Sequence, residues 1–250
     1  MVSYNIDGKR AIITFQSEAH NALNLEDLNE IKTFLGTASE NPDVGVVVLQ
    51  STGEKTFCAG ANFNQLIAIE SHEDGQTFFN GFGNVILAIR NCKKVVVGRI
   101  QGRAIGGGVG LAAACDFTIA SKFATIRLSE LNIGLGPLVI GPMVERKMGL
   151  AALTSLSLNP QEWQTAYWAK EKGLYNEVFE TQTQCDAYLE SFLTNIESMS
   201  SEAKTAVKTM LWHDTNHWTE LLNQRAAQSA GLLMTESCRS EINKFLSKSV

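Results

Sequence analysis

Short apolar runs and amphipathic segments alternate along residues 1–130. Residues 2–6 and 10–15 flank the dipeptide Asp7-Gly8, and such a pair of runs predicts a β-hairpin. The valine-rich runs at 44–49 and 95–100 are typical of strands that are covered on both faces. Strands that alternate with helices in this way predict an α/β core with largely parallel pairing.

Helical spacing of apolar residues marks the segments between these strands. Leu28, Ile31, Leu35 and Ala38 recur at this spacing, and Asn24 stands where a helix cap is expected. The same reasoning gives helices over 62–70, from Phe78 to Ile89 and over 109–115, short strands at 117–120 and 124–126, loops at 51–60 and 134–137, and an irregular, exposed segment at 72–75.

The pattern changes after Met143, where nearly every segment has helical spacing except a short strand near 177–179. We therefore expect an α/β core over residues 1–198 and a helical region over 199–250. Leu221, Leu222, Leu232, Leu233, Ile242 and Phe245 give that region an apolar surplus, which predicts burial against another surface.

Composition narrows the class of protein. The chain has 250 residues, 44% hydrophobic and 19% charged, with a net charge of −5, which fits a folded protein and argues against binding nucleic acid. No stretch reaches the length of a membrane span, and the N-terminus has no signal-peptide pattern, so we expect a cytoplasmic protein without membrane contact. Five scattered cysteines favour reduced thiols.

Two strand-to-helix turns carry candidate chemistry. The run Gly106-Gly107-Gly108 matches neither GxGxxG nor GxxxxGK[ST], so close helix packing and an oxyanion hole remain the two interpretations. An oxyanion hole needs backbone N–H groups at a helix start and a second donor from elsewhere. The turn at 56–62, before the next predicted helix, offers that second donor.

Three motifs at these turns carry a family resemblance. Phe57-Cys58-Ala59-Gly60-Ala61-Asn62, the stretch 101–108 (QGRAIGGG) and Ala114-Cys115-Asp116-Phe117 resemble the crotonase superfamily, the enoyl-CoA hydratase/isomerase family. Asn21-Ala22-Leu23-Asn24 and Ser129-Glu130 extend the resemblance over essentially the whole chain. It implies a crotonase-like spiral of ββα units, a C-terminal helical trimerisation region, and a homotrimer or a hexamer.

The resemblance also implies an acyl-CoA substrate, an enolate intermediate, a place in fatty acid metabolism, and neither a metal nor a cofactor other than the coenzyme A of the substrate. By the same resemblance, Ala61 and Gly107 donate to the thioester oxygen. The residues expected to contact the coenzyme are His20, Ala22, Leu23, Ala59, Ala61, Gly107 and, near the C-terminus, Lys248.

The acid–base residues bear on the reaction. Where hydratases of this family carry one glutamate, this chain has Gly110, and Leu138 stands at a second position that is often polar. Glu130 is retained between apolar neighbours, which should raise its pKa. One base suits a double-bond shift, whereas hydration also needs an activated water.

Several alternatives stay open. His72, Glu73 and Asp74 could supply a second acid, although a solvated loop is the simpler interpretation. Decarboxylation of a malonyl-type thioester and a catalytically silent, coenzyme-binding relative are the other functions that fit.

Overall fold

The computed structural model describes residues 1–247, except for the side chains of Phe245 and Leu246. Its strands are β1 (Val2–Asp7), β2 (Arg10–Phe15), β3 (Val46–Ser51), β4 (Thr56–Cys58), β5 (Val95–Ile100), β6 (Arg103–Ile105), β7 (Phe117–Ser121), β8 (Ile126–Arg127) and β9 (Glu177–Phe179). Its helices are α1 (Leu25–Glu40), α2 (Phe63–Ala68), α3 (His72–Asn91), α4 (Gly107–Ala114), α5 (Gly141–Met148), α6 (Leu150–Leu158), α7 (Ala166–Glu171), α8 (Gln182–Ser198), α9 (Ser201–Leu211), α10 (Trp218–Leu233) and α11 (Glu236–Ser247), with a 3₁₀-helix at Glu130–Ile133.

The strands form two sheets within the described range. The larger has the order β1-β2-β3-β5-β7-β9, in which the β1–β2 hairpin is antiparallel and every other pairing is parallel. The smaller sheet, β4-β6-β8, is parallel throughout. The predicted α/β class with largely parallel pairing is confirmed.

Local sequence explains several elements directly. The first hairpin pairs Asp7 with Arg10, so Gly8 and Lys9 form its two-residue turn, one position later than Asp7-Gly8. Gly8 has a φ of 57°, which glycine adopts without strain. Asn24 caps α1 by accepting from the Asp27 N–H at 2.8 Å, while the Asp27 side chain reciprocates, as in a capping box.

Two expectations about the middle of the chain are wrong. The segment 72–75 is the first turn of α3, because Ser71 caps it by accepting from the Asp74 N–H at 3.0 Å. Gly75 is buried because α10 packs on it; a Cβ there would lie 3.1 Å from that of Ala230. The predicted loop 51–60 contains β4, which is too short to show alternation in the sequence.

The C-terminal helices cover the core of their own chain. Helix α10 lies against α3, and α11 contacts α2 and the 3₁₀-helix. Leu222, Leu233 and Ile242 are therefore buried within one chain, so their apolar character gives no evidence for a contact between subunits. The trimer and the boundary after residue 198 remain predictions.

Two further features concern the length of the helices and the state of the cysteines. Across residues 1–247, no helix is both long and apolar enough to cross a membrane. All five cysteines are free and buried, as the sequence predicts.

Candidate active site

The two candidate turns meet at one edge of the smaller sheet. Strands β4 and β6 run parallel, so the chain leaves both at the same edge. Gly60, after β4, has a φ of 86°, and a Cβ at this residue would lie 2.9 Å from the Ile105 oxygen and 3.2 Å from the Gly107 nitrogen. Contact this close requires glycine, and it sets the first turn directly against the second.

A short β-bridge fixes the first turn. Leu23 donates its N–H to the Gly60 oxygen at 2.8 Å, and Asn62 donates to the Leu23 oxygen at 2.9 Å. These two bonds use the carbonyl oxygen of Gly60 and the N–H of Asn62, and they leave the Ala61 N–H unused. The bridge therefore holds Ala61 in place without occupying its donor.

The second turn also leaves a backbone N–H group, that of Gly107, without an acceptor among the described residues. Gly107 is the first residue of α4, whose first bonds run from Val109 and Gly110 to the Gly106 oxygen. Among the hydrogen bonds of residues 1–247, none is donated by the N–H of Ala61 or of Gly107. Both residues line one cavity, so two unpaired amides are available to a ligand there.

Glu130 lies against the second turn. Gly106 has a φ of 53°, and a Cβ at this residue would lie 3.0 Å from Oε1 of Glu130. The other carboxylate oxygen, Oε2, is inaccessible to water and has no hydrogen-bond partner in the described part of the chain. The carboxyl group thus lies against Gly106, the residue that directly precedes the Gly107 amide.

Burial dominates the protonation of Glu130. It raises the pKa of this carboxyl group from 4.5 to about 7, although the backbone amides of Glu130 and Ser129 act in the opposite direction. The sequence predicts this shift from Leu128, Leu131 and Ile133. Leu128 and Ile133 are buried, but Leu131 is exposed and contributes nothing to the desolvation.

The cavity is small and mostly apolar, with a volume of about 70 Å³. Among its described lining residues, Glu130 is the one titratable side chain, and Ser129 and Ser229 supply hydroxyls. Its apolar walls are formed by Ala59, Phe63, Leu66, Phe79, Phe82, Ile133, Leu135, Pro137, Leu138, Val139 and Ile140. The reacting atoms of a ligand in this space would meet two amides and one carboxyl group in largely apolar surroundings.

Ile140 fills the space beside Gly110, where the resemblance leads one to look for a second carboxylate. A Cβ on Gly110 would lie only 2.6 Å from the Cβ of Ile140, so no side chain fits at this position. Ile140 is 4% exposed and lines the cavity. The missing acid is therefore replaced by an apolar wall.

The side-chain amide of Asn21 holds the segment that is predicted to contact the coenzyme. His20 and Asn21 both have positive φ values, and Asn21 is held by bonds from its Nδ2 to the oxygens of Thr52 and Thr56. Ala22 and Leu23 are buried, whereas His20 is exposed on an open groove. Ala59 lines the cavity, and Lys248 lies outside the described residues.

The candidate second acids lie elsewhere. His72 Nε2 is 3.0 Å from the Ala227 oxygen, and Asp74 interacts with the Ser71 cap. Neither they nor Glu73 line the cavity. Cys58 is also not a nucleophile candidate, because burial raises the pKa of its thiol to about 12.

Phe82 and Ser229 are site residues that sequence reasoning missed. The Phe82 ring packs on Gly107, where an added Cβ would lie 2.8 Å from the ring Cζ. The spacing of Phe78, Phe82 and Ile86 identified a helix face, but that pattern carries no information on which residue meets the glycine turn. No local signal marks Ser229.

Comparison with known proteins agrees with this architecture. A model of the enoyl-CoA hydratase/isomerase family matches residues 7–248. The chain is 31% identical over 206 residues to a peroxisomal Δ(3,5)-Δ(2,4)-dienoyl-CoA isomerase of Arabidopsis thaliana, covering 76% of this chain and 72% of that protein. It is 32% identical over 177 residues to a short-chain-enoyl-CoA hydratase of Clostridium acetobutylicum, covering 70% and 67%.

Solved structures show the same fold. An enoyl-CoA hydratase from Bacillus halodurans superposes with a TM-score of 0.90 at 20% identity, covering 97% of this chain and 99% of that chain. A putative enoyl-CoA hydratase from Mycobacterium avium paratuberculosis gives 0.87 at 27% identity, covering 99% and 97%.

Fold and sequence together define the class as the crotonase superfamily. The chain belongs to the enoyl-CoA hydratase/isomerase family and is an enzyme of that family.

Proposed function

We propose that the enzyme binds an acyl-CoA thioester with its carbonyl oxygen between the N–H groups of Ala61 and Gly107. The two amides are unpaired, line the same cavity and belong to turns that the Gly60 contact fixes against each other. Negative charge develops on this oxygen when a proton leaves the α-carbon. Preorganised donors of this kind lower the barrier. The loss of one donor on mutation raises the barrier by about 3–4 kcal/mol.

We further propose that Glu130 is the single acid/base and that the enzyme shifts a double bond from the 3,4 to the 2,3 position. Glu130 removes a proton from Cα, the electron pair moves onto the thioester oxygen as an enolate, and the same carboxyl group returns the proton at Cγ. The observation that supports this choice is the pairing of Gly110 with Ile140, which leaves Glu130 as the one titratable group among the described cavity residues. This chemistry requires no separate cofactor.

Hydration of a 2-enoyl thioester is the second candidate, because a short-chain-enoyl-CoA hydratase is among the relatives. It requires a positioned water, and the apolar wall of Leu138, Val139 and Ile140 offers no group to hold one. Decarboxylation of a malonyl-type thioester is less favoured, since no cation among the described lining residues would bind the carboxylate of that substrate.

The coenzyme itself is proposed to lie along the segment from His20 to Leu23 and beside Ala59, with Lys248 as a further contact. Asn21 holds the first of these segments in a left-handed backbone conformation, which exposes His20 at an open groove. Such a strained and well-anchored backbone is typical of a binding site.

Incubation in heavy water with separate 2-enoyl, 3-enoyl and malonyl thioesters of coenzyme A, followed by mass spectrometry, tests the reaction. We expect the 3-enoyl thioester to isomerise without gain of water, and Glu130→Gln to lose about a hundredfold or more in rate while still binding coenzyme A. Faster gain of water would favour the hydratase, and loss of carbon dioxide would favour the decarboxylase. Coenzyme binding without any reaction would indicate a silent relative.

A further inference from the structure

Two arginines share one tryptophan ring outside the catalytic cavity. The guanidinium carbon of Arg127 lies 4.5 Å from the centroid of the Trp163 ring, and that of Arg103 lies 5.4 Å from it. Strands β6 and β8 pair Ile105 with Arg127, and Arg103 is two residues before Ile105, so both arginines project from the same face of the smaller sheet. None of the three residues lines the catalytic cavity.

This cluster has no counter-charge. Within residues 1–247, neither arginine forms an ion pair or donates a side-chain hydrogen bond. The Nε of Arg127 is inaccessible to water and has no partner in the same range. Other half-buried arginines have partners: Arg10 and Arg99 form ion pairs, and Arg90, Arg146 and Arg239 donate side-chain hydrogen bonds.

The electrostatics of the cluster are unfavourable as it stands. Burial lowers the pKa of Arg127, and the neighbouring positive charge of Arg103 lowers it further. Stacking on the indole ring compensates only partly, because within residues 1–247 no protein group accepts a hydrogen bond from either guanidinium. An anion placed beside the two guanidinium groups would offset their repulsion and supply acceptors for their accessible N–H groups.

We propose that Arg103, Arg127 and Trp163 form a binding site for a phosphate-bearing anion. Two guanidinium forks match the tetrahedral oxygens of phosphate, and the indole ring holds both forks in place. The site is separate from the proposed acyl cavity, but the backbone connects them, since the Arg127 oxygen accepts from the Gly106 N–H at 2.9 Å. The anion is either free phosphate or the 3′-phosphate of coenzyme A.

Calorimetric titration of the whole protein with inorganic phosphate, against chloride at matched ionic strength, tests the site without any turnover. We expect saturable phosphate binding by the wild type and a weakening of about tenfold or more in Arg103→Gln and in Arg127→Gln. Arg103 is exposed, so its substitution does not threaten the fold. Arg225→Gln is the matched control, because it removes one guanidinium, bonded only to Gln228, at the same cost in net charge.

A second titration with coenzyme A and dephospho-coenzyme A identifies the source of the phosphate. If the coenzyme supplies it, coenzyme A binds more tightly than the dephospho form, and Arg127→Gln removes the difference. If free phosphate is the ligand, the two forms bind equally and phosphate still binds beside either. Phosphate binding no stronger than that of chloride, or an equal loss in Arg225→Gln, would overturn the proposal.

Discussion

At the scale of single residues, Glu130 combines the proposed role of acid/base with a cost to stability. Its carboxyl group has a pKa of about 7 in the folded chain against 4.5 ordinarily, because burial disfavours the charged form. Below 4.5 the group is neutral in both folded and unfolded chains. Above 7 it is ionised in both, and the folded chain bears the full penalty of about 3 kcal/mol.

Ionisation of Glu130 should therefore change stability and activity in opposite directions. As the pH rises from about 4.5 to about 7, the contribution of Glu130 to the free energy of unfolding falls, whereas kcat/KM rises with an inflection near 7 because the base must be ionised. Glu130→Gln should abolish the rise in activity and unfold at higher urea concentration than the wild type at pH 8. A less stable Glu130→Gln at that pH would contradict the role of burial.

The two amide donors call for different tests. From the sequence, Gly107→Pro deletes one donor, but the structure shows the Phe82 ring in the space that any added side chain would enter. Ala61→Pro is cleaner, since neither bond of the Leu23 bridge uses the Ala61 N–H. We expect Ala61→Pro to lower kcat about a hundred- to thousandfold. Unchanged circular dichroism and coenzyme affinity serve as controls, and full activity would remove Ala61 from the proposed site.

Sequence alone could identify the residues whose role depends on a local turn. Ala61, Gly107 and Glu130 lie in motifs that combine small residues with a strand end, and all three line the cavity. Phe82 and Ser229 reach the same cavity only through packing between distant segments, which a single sequence does not encode in any local pattern.

At the scale of elements, the contact between α4 and the start of α5 controls the space for a second acid. Gly110→Glu alone should unfold more easily than the wild type by about 1–3 kcal/mol, because its Cβ meets Ile140. Combined with Ile140→Gly, the new carboxylate gains room, and the ratio of hydration to isomerisation should rise about a hundredfold or more. Ile140→Gly alone is the control; if it changes the product ratio as much, the carboxylate is not the cause.

Helix α9 is attached to the core by a buried ion pair. Asp116 lies 2.8 Å from Lys208 Nζ and accepts at 2.8 Å from the indole N–H of Trp212 and from the Val96 N–H. Both charged side chains are at most 5% exposed. The sequence singled out Asp116 as part of a motif, and the structure shows what it holds.

Asp116→Ala should therefore lower the free energy of unfolding by about 3–5 kcal/mol, because Lys208 is left buried and unpaired. The double variant with Lys208→Met should recover part of the loss in urea denaturation. Lys93→Met, which breaks the exposed pair with Glu40, should cost less than about 1 kcal/mol. Equal effects of the buried and exposed substitutions would contradict this assignment.

Short elements show where hydrophobic periodicity fails to predict secondary structure. Strands β4 and β6 have three residues each, too few for an alternating pattern, so the sequence does not predict them although they lead into the two turns of the proposed oxyanion hole. The long helices and valine-rich strands were predicted because their patterns extend over several turns or pairs.

At the scale of the whole molecule, the exposed face of α9 offers a surface for self-association. Val207, Met210 and Leu211 are each at least half exposed on this helix, and Met199 adjoins it. Resemblance to the family implies a trimer or a hexamer, and this surface is a better candidate for the contact than the apolar residues of α10 and α11, which the chain buries itself.

Light scattering should then give three or six times the 27.3 kDa of the chain. Val207→Glu with Met210→Glu should shift the mass to that of the monomer, because two charges would be buried in an apolar contact. Thr209→Glu places a charge on the opposite face of the helix and should leave the mass unchanged. A wild-type monomer at micromolar concentration would exclude the trimer.

Helix α10 has a consequence for the order in which the enzyme is assembled. It packs along α3 and contributes Ser229 to the cavity, so the chamber around Glu130 is complete only when a helix far along the sequence from Glu130 has docked. A nascent chain that ends before Trp218 already contains both amide turns and Glu130, but it lacks the helix that closes them from water. We expect the pKa of its Glu130 carboxyl group to lie closer to the ordinary value than in the folded chain, so the raised pKa depends on the docking of α10.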